Sequence, residues 1–261
     1  MDGALKDRAG VEVEFQNVHY KAGGNLILDN VSFTVAPGKT LVLLGRSGSG
    51  KTTALKMVNA LLFPSAGEVR VDGRSTTTWD PIHLRRSIGY VIQEVGLFPH
   101  FTVRQNIGVV PRLEGWPPDR IGNRATELLR QVDLDPAKFL DRYPRQLSGG
   151  QRQRVGVARA LAADPGLLLF DEPFGALDPV TRLELQDQFL ALRERLSKTS
   201  IFVTHDVREA LRIGTHIALL HRGRLDVLAT PEEFLRSELP EARAFLAGIE
   251  REAGTIAEKF S

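Results

Sequence analysis

LVLLGRSGSGKTT, residues 41–53, is the stretch from which the rest of the chain is read. Four successive apolar residues, Leu41 to Leu44, suit a strand buried on both faces. Glycines at 45, 48 and 50 then allow the backbone to curl tightly. After Lys51 the apolar residues Leu55, Val58 and Leu62 fall on one helical face. Gly45, Gly50, Lys51 and Thr52 satisfy the pattern G-x-x-x-x-G-K-[ST], in the strand–turn–helix context that it needs. Such a turn aims several backbone N–H groups at one cluster of phosphate oxygens, and the helix N-terminus adds its positive end. Gly45, Arg46, Ser47, Gly48, Ser49, Gly50, Lys51, Thr52 and Thr53 are therefore the candidate cradle for ATP. Lys51 is expected to reach the β- and γ-phosphates, and the Thr52 hydroxyl to ligate Mg²⁺.

Working outward, residues 11–15 and 31–35 alternate apolar and polar, as half-buried strands do. EVRVDGRS (68–75) reads as strand, Asp72-Gly73 turn, strand, and SIGYVIQ (87–93) as a further strand. Between about 95 and 163 the strand signal fades. Ile121, Ala125, Leu128, Leu129 and Val132 take helical spacing there. Strands return with LLLF (167–170), IFVT (201–204) and IALL (217–220), and a helix is expected over 179–196. Alternating strands and helices argue for a mostly parallel sheet. The expected fold is α/β: a phosphate-loop core, an N-terminal antiparallel layer and an inserted helical subdomain. The expected segments are 1–94 and 164–230 for the two parts of the core, 95–163 for the helical insertion and 231–261 for a helical tail.

Composition narrows the function classes. The chain has 261 residues, enough for a substantial core. Lys plus Arg is 34 against 32 Asp plus Glu, a net charge of +2 that does not call for a nucleic-acid partner. There is no cysteine, which excludes disulfides, thiolate metal sites and cysteine nucleophiles. Residues 1–10 hold no apolar run of signal-peptide length. The longest apolar runs are too short to span a bilayer.

LLLFDE (167–172) supplies the second half of a nucleotide site. A buried strand delivers Asp171 and Glu172 to its carboxyl end, where open α/β sheets bind ligands. Asp171 is expected to hold Mg²⁺ and Glu172 to act as general base toward the attacking water. Taken singly, four other residues have plain structural readings. His205 ends a strand, Asp178 precedes Pro179 as an N-cap, Gln93 closes a strand, and Tyr20 sits within one. A second glycine pair, Gly149-Gly150 in LSGGQ, remains to be explained.

Together these residues resemble the ATPase subunits of ABC transporters over about residues 11–235. The resemblance makes Tyr20 the aromatic that stacks on adenine and 45–52 the Walker A loop. It makes Gln93 the Q-loop residue, contacting Mg²⁺ and the attacking water. Leu147, Ser148, Gly149, Gly150 and Gln151 become the signature. Asp171 ends Walker B, Glu172 is catalytic, Asp178 communicates across a dimer through the D-loop, and His205 is the switch histidine. It implies a head-to-tail homodimer in which one subunit's signature completes the ATP site on its partner. It also implies transmembrane permease subunits, a solute-binding protein behind them, and a place at the cytoplasmic face of the cell membrane. The segments YVIQEVGLFPHFTVRQNI, VVPRLEGW and DEPFGALDPVTR are similar to the ATPases of osmoprotectant importers, for glycine betaine, choline or carnitine. An importer of another small solute, such as an amino acid, is the alternative. A non-transport ABC ATPase would separate its half-sites by a long coiled coil, whereas only a short helical insertion lies between Gln93 and Leu147. A phosphate-loop kinase would leave LSGGQ and His205 unexplained. Val95, Leu97, Phe98, Pro99 and Phe101 form either helical core or an apolar patch that receives a permease helix.

Overall fold

The computed structural model describes residues 9–93 and 95–259, with side chains as far as residue 249. Residues 1–8, Glu94 and the end of the expected tail, 260–261, lie outside the described residues. The strands are β1 (Val13–Ala22), β2 (Asn25–Val35), β3 (Thr40–Leu44), β4 (Ala66–Val71), β5 (Arg74–Ser75), β6 (Ile88–Val91), β7 (Leu167–Asp171), β8 (Thr199–Thr204), β9 (His216–His221) and β10 (Arg224–Ala229). The helices are α1 (Lys51–Val58), α2 (Pro81–Ser87), α3 (Val103–Ile107), α4 (Val109–Leu113), α5 (Pro118–Gln131), α6 (Pro136–Phe139), α7 (Gly149–Leu161), α8 (Pro179–Leu196), α9 (Val207–Ile213), α10 (Pro231–Leu235) and α11 (Pro240–Lys259).

Two compact units result. The cradle unit takes its described residues from 12–35, 39–77 and 201 onward; the helical unit takes them from 9–11, 36–38 and 78–200.

In the cradle unit, four antiparallel strands run in the order β2-β1-β4-β5. Val13 lies opposite Val35 on one side and Val71 on the other. Phe15 and Phe33 stack with ring centroids 4.4 Å apart. The alternating segments at 11–15 and 31–35 prove to be the two ends of one long hairpin. Its turn falls on Gly23 and Gly24, at φ 56° and 83°, a region open chiefly to glycine. The Asp72-Gly73 turn forms as the sequence implies, with φ positive at both residues. Every residue of β3 is buried, and it lies parallel to β9 in register Leu41↔His216 to Leu44↔Leu219. β10 completes an antiparallel pair with β9.

In the helical unit, β6 and β7 are parallel, from Ile88↔Leu167 to Val91↔Phe170. The strand expected over 87–93 is shorter, because α2 occupies the chain up to Ser87. Asp80 caps α2 by accepting from Ile82 N and His83 N, and Pro81 takes its first turn. α5 buries Ile121, Ala125, Leu128 and Leu129, the face its periodicity marks. α7 begins at Gly149, with Ser148 as its cap.

Candidate functional site

The phosphate loop is set by close approach. Gly45 has φ 156°, and a Cβ there would lie 2.3 Å from the Leu220 carbonyl oxygen. Gly50 has φ 100°, and its Cβ would meet Leu28 Cδ2 at 2.5 Å. Neither position admits a side chain without moving β9 or β2. Lys51 is only 5 % exposed and folds back over the loop, its Nζ donating to Gly45 O at 2.8 Å and Arg46 O at 2.9 Å. That keeps a buried cation hydrogen-bonded while holding its charge at the loop.

The loop suits a polyphosphate. α1 starts with no side-chain cap and no acid in its first turn, which leaves its positive end unneutralised by a carboxylate of that turn. The Ser49 hydroxyl is buried and makes no hydrogen bond within the protein. Thr52 and Thr53 are half-buried beside it. A phosphate supplies the acceptor that the Ser49 hydroxyl needs, at a helix start that favours negative charge. Arg46, on the outer side, pairs its Nε with Glu241 Oε1 at 2.7 Å, and His221 Nδ1 lies 3.2 Å from Glu241 Oε2. The start of α11 is thereby tied to the loop. Ser47 and Gly48 border the same open space, with Leu220 and Arg222.

Two further site candidates belong to this unit. Tyr20 is half-buried in β1, opposite Leu28. His205 is exposed immediately after β8. Thr204 Oγ1 donates to the buried Glu209 at 2.6 Å and accepts from Asp206 N at 3.0 Å. This lock fixes the turn that presents His205; its residues carry no sequence signal, since Thr and Glu are ordinary at a strand end and in a helix.

The helical unit holds the other half-site. β7 delivers Asp171, half-buried, followed by Glu172 at φ 46°. A non-glycine residue in that region carries some backbone strain. Tyr90 Oη donates to Asp171 Oδ2 across 3.5 Å. Burial, then the Asp171 charge, push the Tyr90 hydroxyl well above the usual phenol range, so it stays a donor. A Cβ at Gly175 would stand 3.7 Å from both Gln93 Nε2 and Glu172 Oε2, so both side-chain ends lie close to this glycine. Asp178 caps α8, accepting from Thr181 N at 3.0 Å. That hydrogen bond, with the Thr181 hydroxyl, holds its carboxyl below the usual range.

The candidate signature, residues 147–151, is a helix start. Ser148 Oγ accepts from Gln151 N at 3.2 Å, and Gln151 Oε1 accepts from Ser148 N at 3.0 Å, a reciprocal capping box. The serine hydroxyl keeps its proton to donate outward. Gly149 is exposed, while Gly150 is packed so closely that a Cβ would meet Thr181 Cγ2 at 2.6 Å. Leu147 is buried, and its carbonyl accepts from Arg152 at 2.8 Å.

The segment after Gln93 is anchored by Arg159, which donates to Val95 O and, at 2.7 Å, to Gly96 O. Val95 is buried against Gly156, whose Cβ would lie 2.5 Å from Val95 Cγ1. Phe98, His100 and Phe101 cluster by their rings, and Phe98 remains 43 % exposed. Ile92, Phe98, Val109 and Val110 line an open groove with Arg85, Arg86 and Arg159. The patch thus divides into a buried anchor, Val95, and an exposed apolar part.

A buried strand, a glycine turn over a helix start and an acidic pair after a second strand define a phosphate-loop nucleotide-binding protein. The chain belongs to the ABC transporter family, whose sequence pattern matches residues 28–175. It is 49% identical over 229 residues to the choline transport ATP-binding protein OpuBA of Bacillus subtilis (strain 168), covering 88% of this chain and 60% of that one. It is 50% identical over 224 residues to the osmoprotectant import ATP-binding protein OsmV of Salmonella typhimurium, covering 86% of this chain and 59% of that one. The chain therefore spans about 60% of the length of these curated relatives. Among solved structures it is similar to the dimeric, ADP- and Pi-bound post-hydrolysis state of the cassette MJ0796, with TM-score 0.74, 35% identity, and 84% of this chain and 98% of that one covered. Among the described residues no helix is long and apolar enough to cross a membrane.

Proposed function

We propose that this chain is the ATP-hydrolysing subunit of an ABC importer for osmoprotectants such as glycine betaine, choline or carnitine. The observation that carries the ATPase reading is the pair of half-sites: a phosphate loop in one unit, and in the other an acid-ended strand and a serine-capped glycine helix start. The solute class rests on what the 49–50% identical relatives transport.

The loop N–H groups and Lys51 bind the phosphates, and Tyr20 stacks on the base. Thr52, Asp171 and Gln93 would hold Mg²⁺: a hydroxyl, one carboxylate and one amide are hard oxygen donors, and phosphate oxygens complete such a set. The ion neutralises phosphate charge when bound. Glu172 takes the proton from the attacking water, with Gln93 contacting that water, while His205 holds the γ-phosphate and orients the water. Ser148 and the first N–H groups of α7 donate to the γ-phosphate of the nucleotide on the partner subunit. ATP then holds two copies head to tail, and its hydrolysis releases them. The exposed groove of Ile92, Phe98, Val109 and Val110 receives a permease helix, which keeps the subunit at the cytoplasmic face of the membrane, opposite the solute-binding protein.

Glu172→Gln tests this. ATP binding persists while turnover falls by about 10²–10⁴, the usual worth of a positioned base. The variant accumulates as an ATP-bound dimer on size exclusion. Near-normal turnover would place the base elsewhere.

A further inference from the structure

The chain has only two tryptophans, Trp79 and Trp116, and both line one pocket of the helical unit. Trp79 precedes α2, and Trp116 stands in the connection from α4 to α5. The wall between them comes from one face of α2, where His83, Arg86 and Ser87 follow at helical spacing, and from Glu114. The space is about 290 Å³. No step assigned above uses it.

The charges in this pocket are of both signs. Arg86 donates to Leu113 O at 3.2 Å and to Glu114 Oε1 at 3.4 Å, a long contact between two side chains that are 29% and 40% exposed. A loose, solvent-facing ion pair is readily joined or exchanged by an outside zwitterion. The indoles supply what an ordinary salt bridge lacks. Arg120 already sets its guanidinium 3.7 Å from the Trp116 ring centroid, and it is not part of the pocket wall. Trp116 thus carries a cation on its ring and also lines the cavity.

We infer that this pocket binds a small zwitterion with a quaternary ammonium at one end and a carboxylate at the other. The ammonium lies against the Trp79 and Trp116 rings near Glu114, and the carboxylate bonds Arg86 and the His83 ring. A quaternary head has no N–H to satisfy, so aromatic walls and a single carboxylate suffice for it. A primary ammonium, strongly hydrated and needing acceptors on three N–H groups, finds too few here. The inference deepens the osmoprotectant reading, on which its choice of ligand rests: the compound imported would also be read by the ATPase. Arg86 and Ala163 line the neighbouring apolar groove as well, so the ligand touches residues of that surface.

Tryptophan emission of the full chain reports the site directly. Titration with glycine betaine gives a saturable change with a midpoint on the order of 1 mM, the affinity of a small exposed site. Glycine and osmotically matched sucrose give none. Trp116→Ala, with Trp79 left as reporter, raises the midpoint about tenfold or abolishes saturation. Arg86→Gln weakens betaine and leaves tetramethylammonium unchanged. Saturation-transfer NMR on the ligand methyls, with circular dichroism and ATP binding of each variant, separates lost binding from lost folding. A wild-type chain without a saturable response, a glycine midpoint equal to that of betaine, or a folded Trp116→Ala with an unchanged midpoint overturns the inference. Uptake by the assembled transporter is measured alongside. Betaine uptake without a fluorescence response removes this site alone; a saturable response without betaine uptake removes the import reading alone.

Discussion

Gly150→Ala probes the contact on which the signature rests. The added Cβ would stand 2.6 Å from Thr181 Cγ2, closer than real Cβ contacts come. Thr181 cannot swing away freely, because it is β-branched and its N–H is bonded to Asp178 at 3.0 Å. Overpacking of this kind costs about 1–3 kcal/mol. Alanine returns at most about 1 kcal/mol through its better helix propensity. The single variant is therefore destabilised, by about 1 kcal/mol as a central figure. Thr181→Ser removes the offending methyl and keeps the hydroxyl and N–H that hold Asp178; alone it loses about 0.8 kcal/mol for one buried carbon. In the double variant the clash is gone and the alanine gain remains. The double-mutant cycle, from urea melts followed by circular dichroism, should show coupling of about 1–3 kcal/mol in the rescuing direction. Additivity within about 0.5 kcal/mol would refute the packing argument. The same pair tests function, because Thr181 joins the signature glycine to the D-loop cap. Trapping of ATP should fall in Gly150→Ala and recover in the double variant.

Lys198 and Asp164 form a buried ion pair at 2.7 Å, with side chains 2% and 11% exposed. Lys198→Met leaves a buried carboxylate without its ammonium and should cost about 3–5 kcal/mol in thermal unfolding. Asp141→Asn, which breaks the exposed pair with Arg104, should change stability by no more than about 1 kcal/mol. Uptake assays on the assembled transporter should show glycine betaine, choline or carnitine entering in preference to amino acids and sugars. Transport of only the latter would overturn the osmoprotectant reading and leave the importer reading standing.

Much of the candidate nucleotide site's local structure is legible in the sequence because it is built from neighbouring residues. A strand, a glycine turn and a helix follow one another within 41–58, and the cap of α7 is written as Ser148 and Gln151, three residues apart. The start of α2, capped by Asp80 with Pro81 in its first turn, is equally local but is overshadowed in the sequence by the apolar strand that follows. What escapes is long-range or conformational. Arg46 and Glu241 are separated by 195 residues, and no periodicity pairs them. Arg159 reads as one more surface arginine until it is seen holding Val95 and Gly96. The left-handed backbone at Glu172 has no residue signature, since glutamate is neither glycine nor asparagine. The Trp79–Trp116 pocket depends on how α2 and the α4–α5 connection come together, which the sequence does not state.

The central claim is that each ATP site is completed by a second copy, and one mixing experiment tests it. Lys51→Ala spoils the phosphate loop and keeps the signature. Ser148→Arg puts a bulky charge at the start of α7 and keeps the loop. A mixed dimer then holds one site with both halves damaged and one with both intact. Differently tagged variants are mixed, with permease subunits present, and mixed dimers are recovered through both tags. Nucleotide trapping and single-turnover hydrolysis are read on that fraction. Shared sites predict that both activities, absent from each variant alone, return in the mixed dimer. Confirmed mixed dimers that neither trap nor hydrolyse ATP would contradict the account.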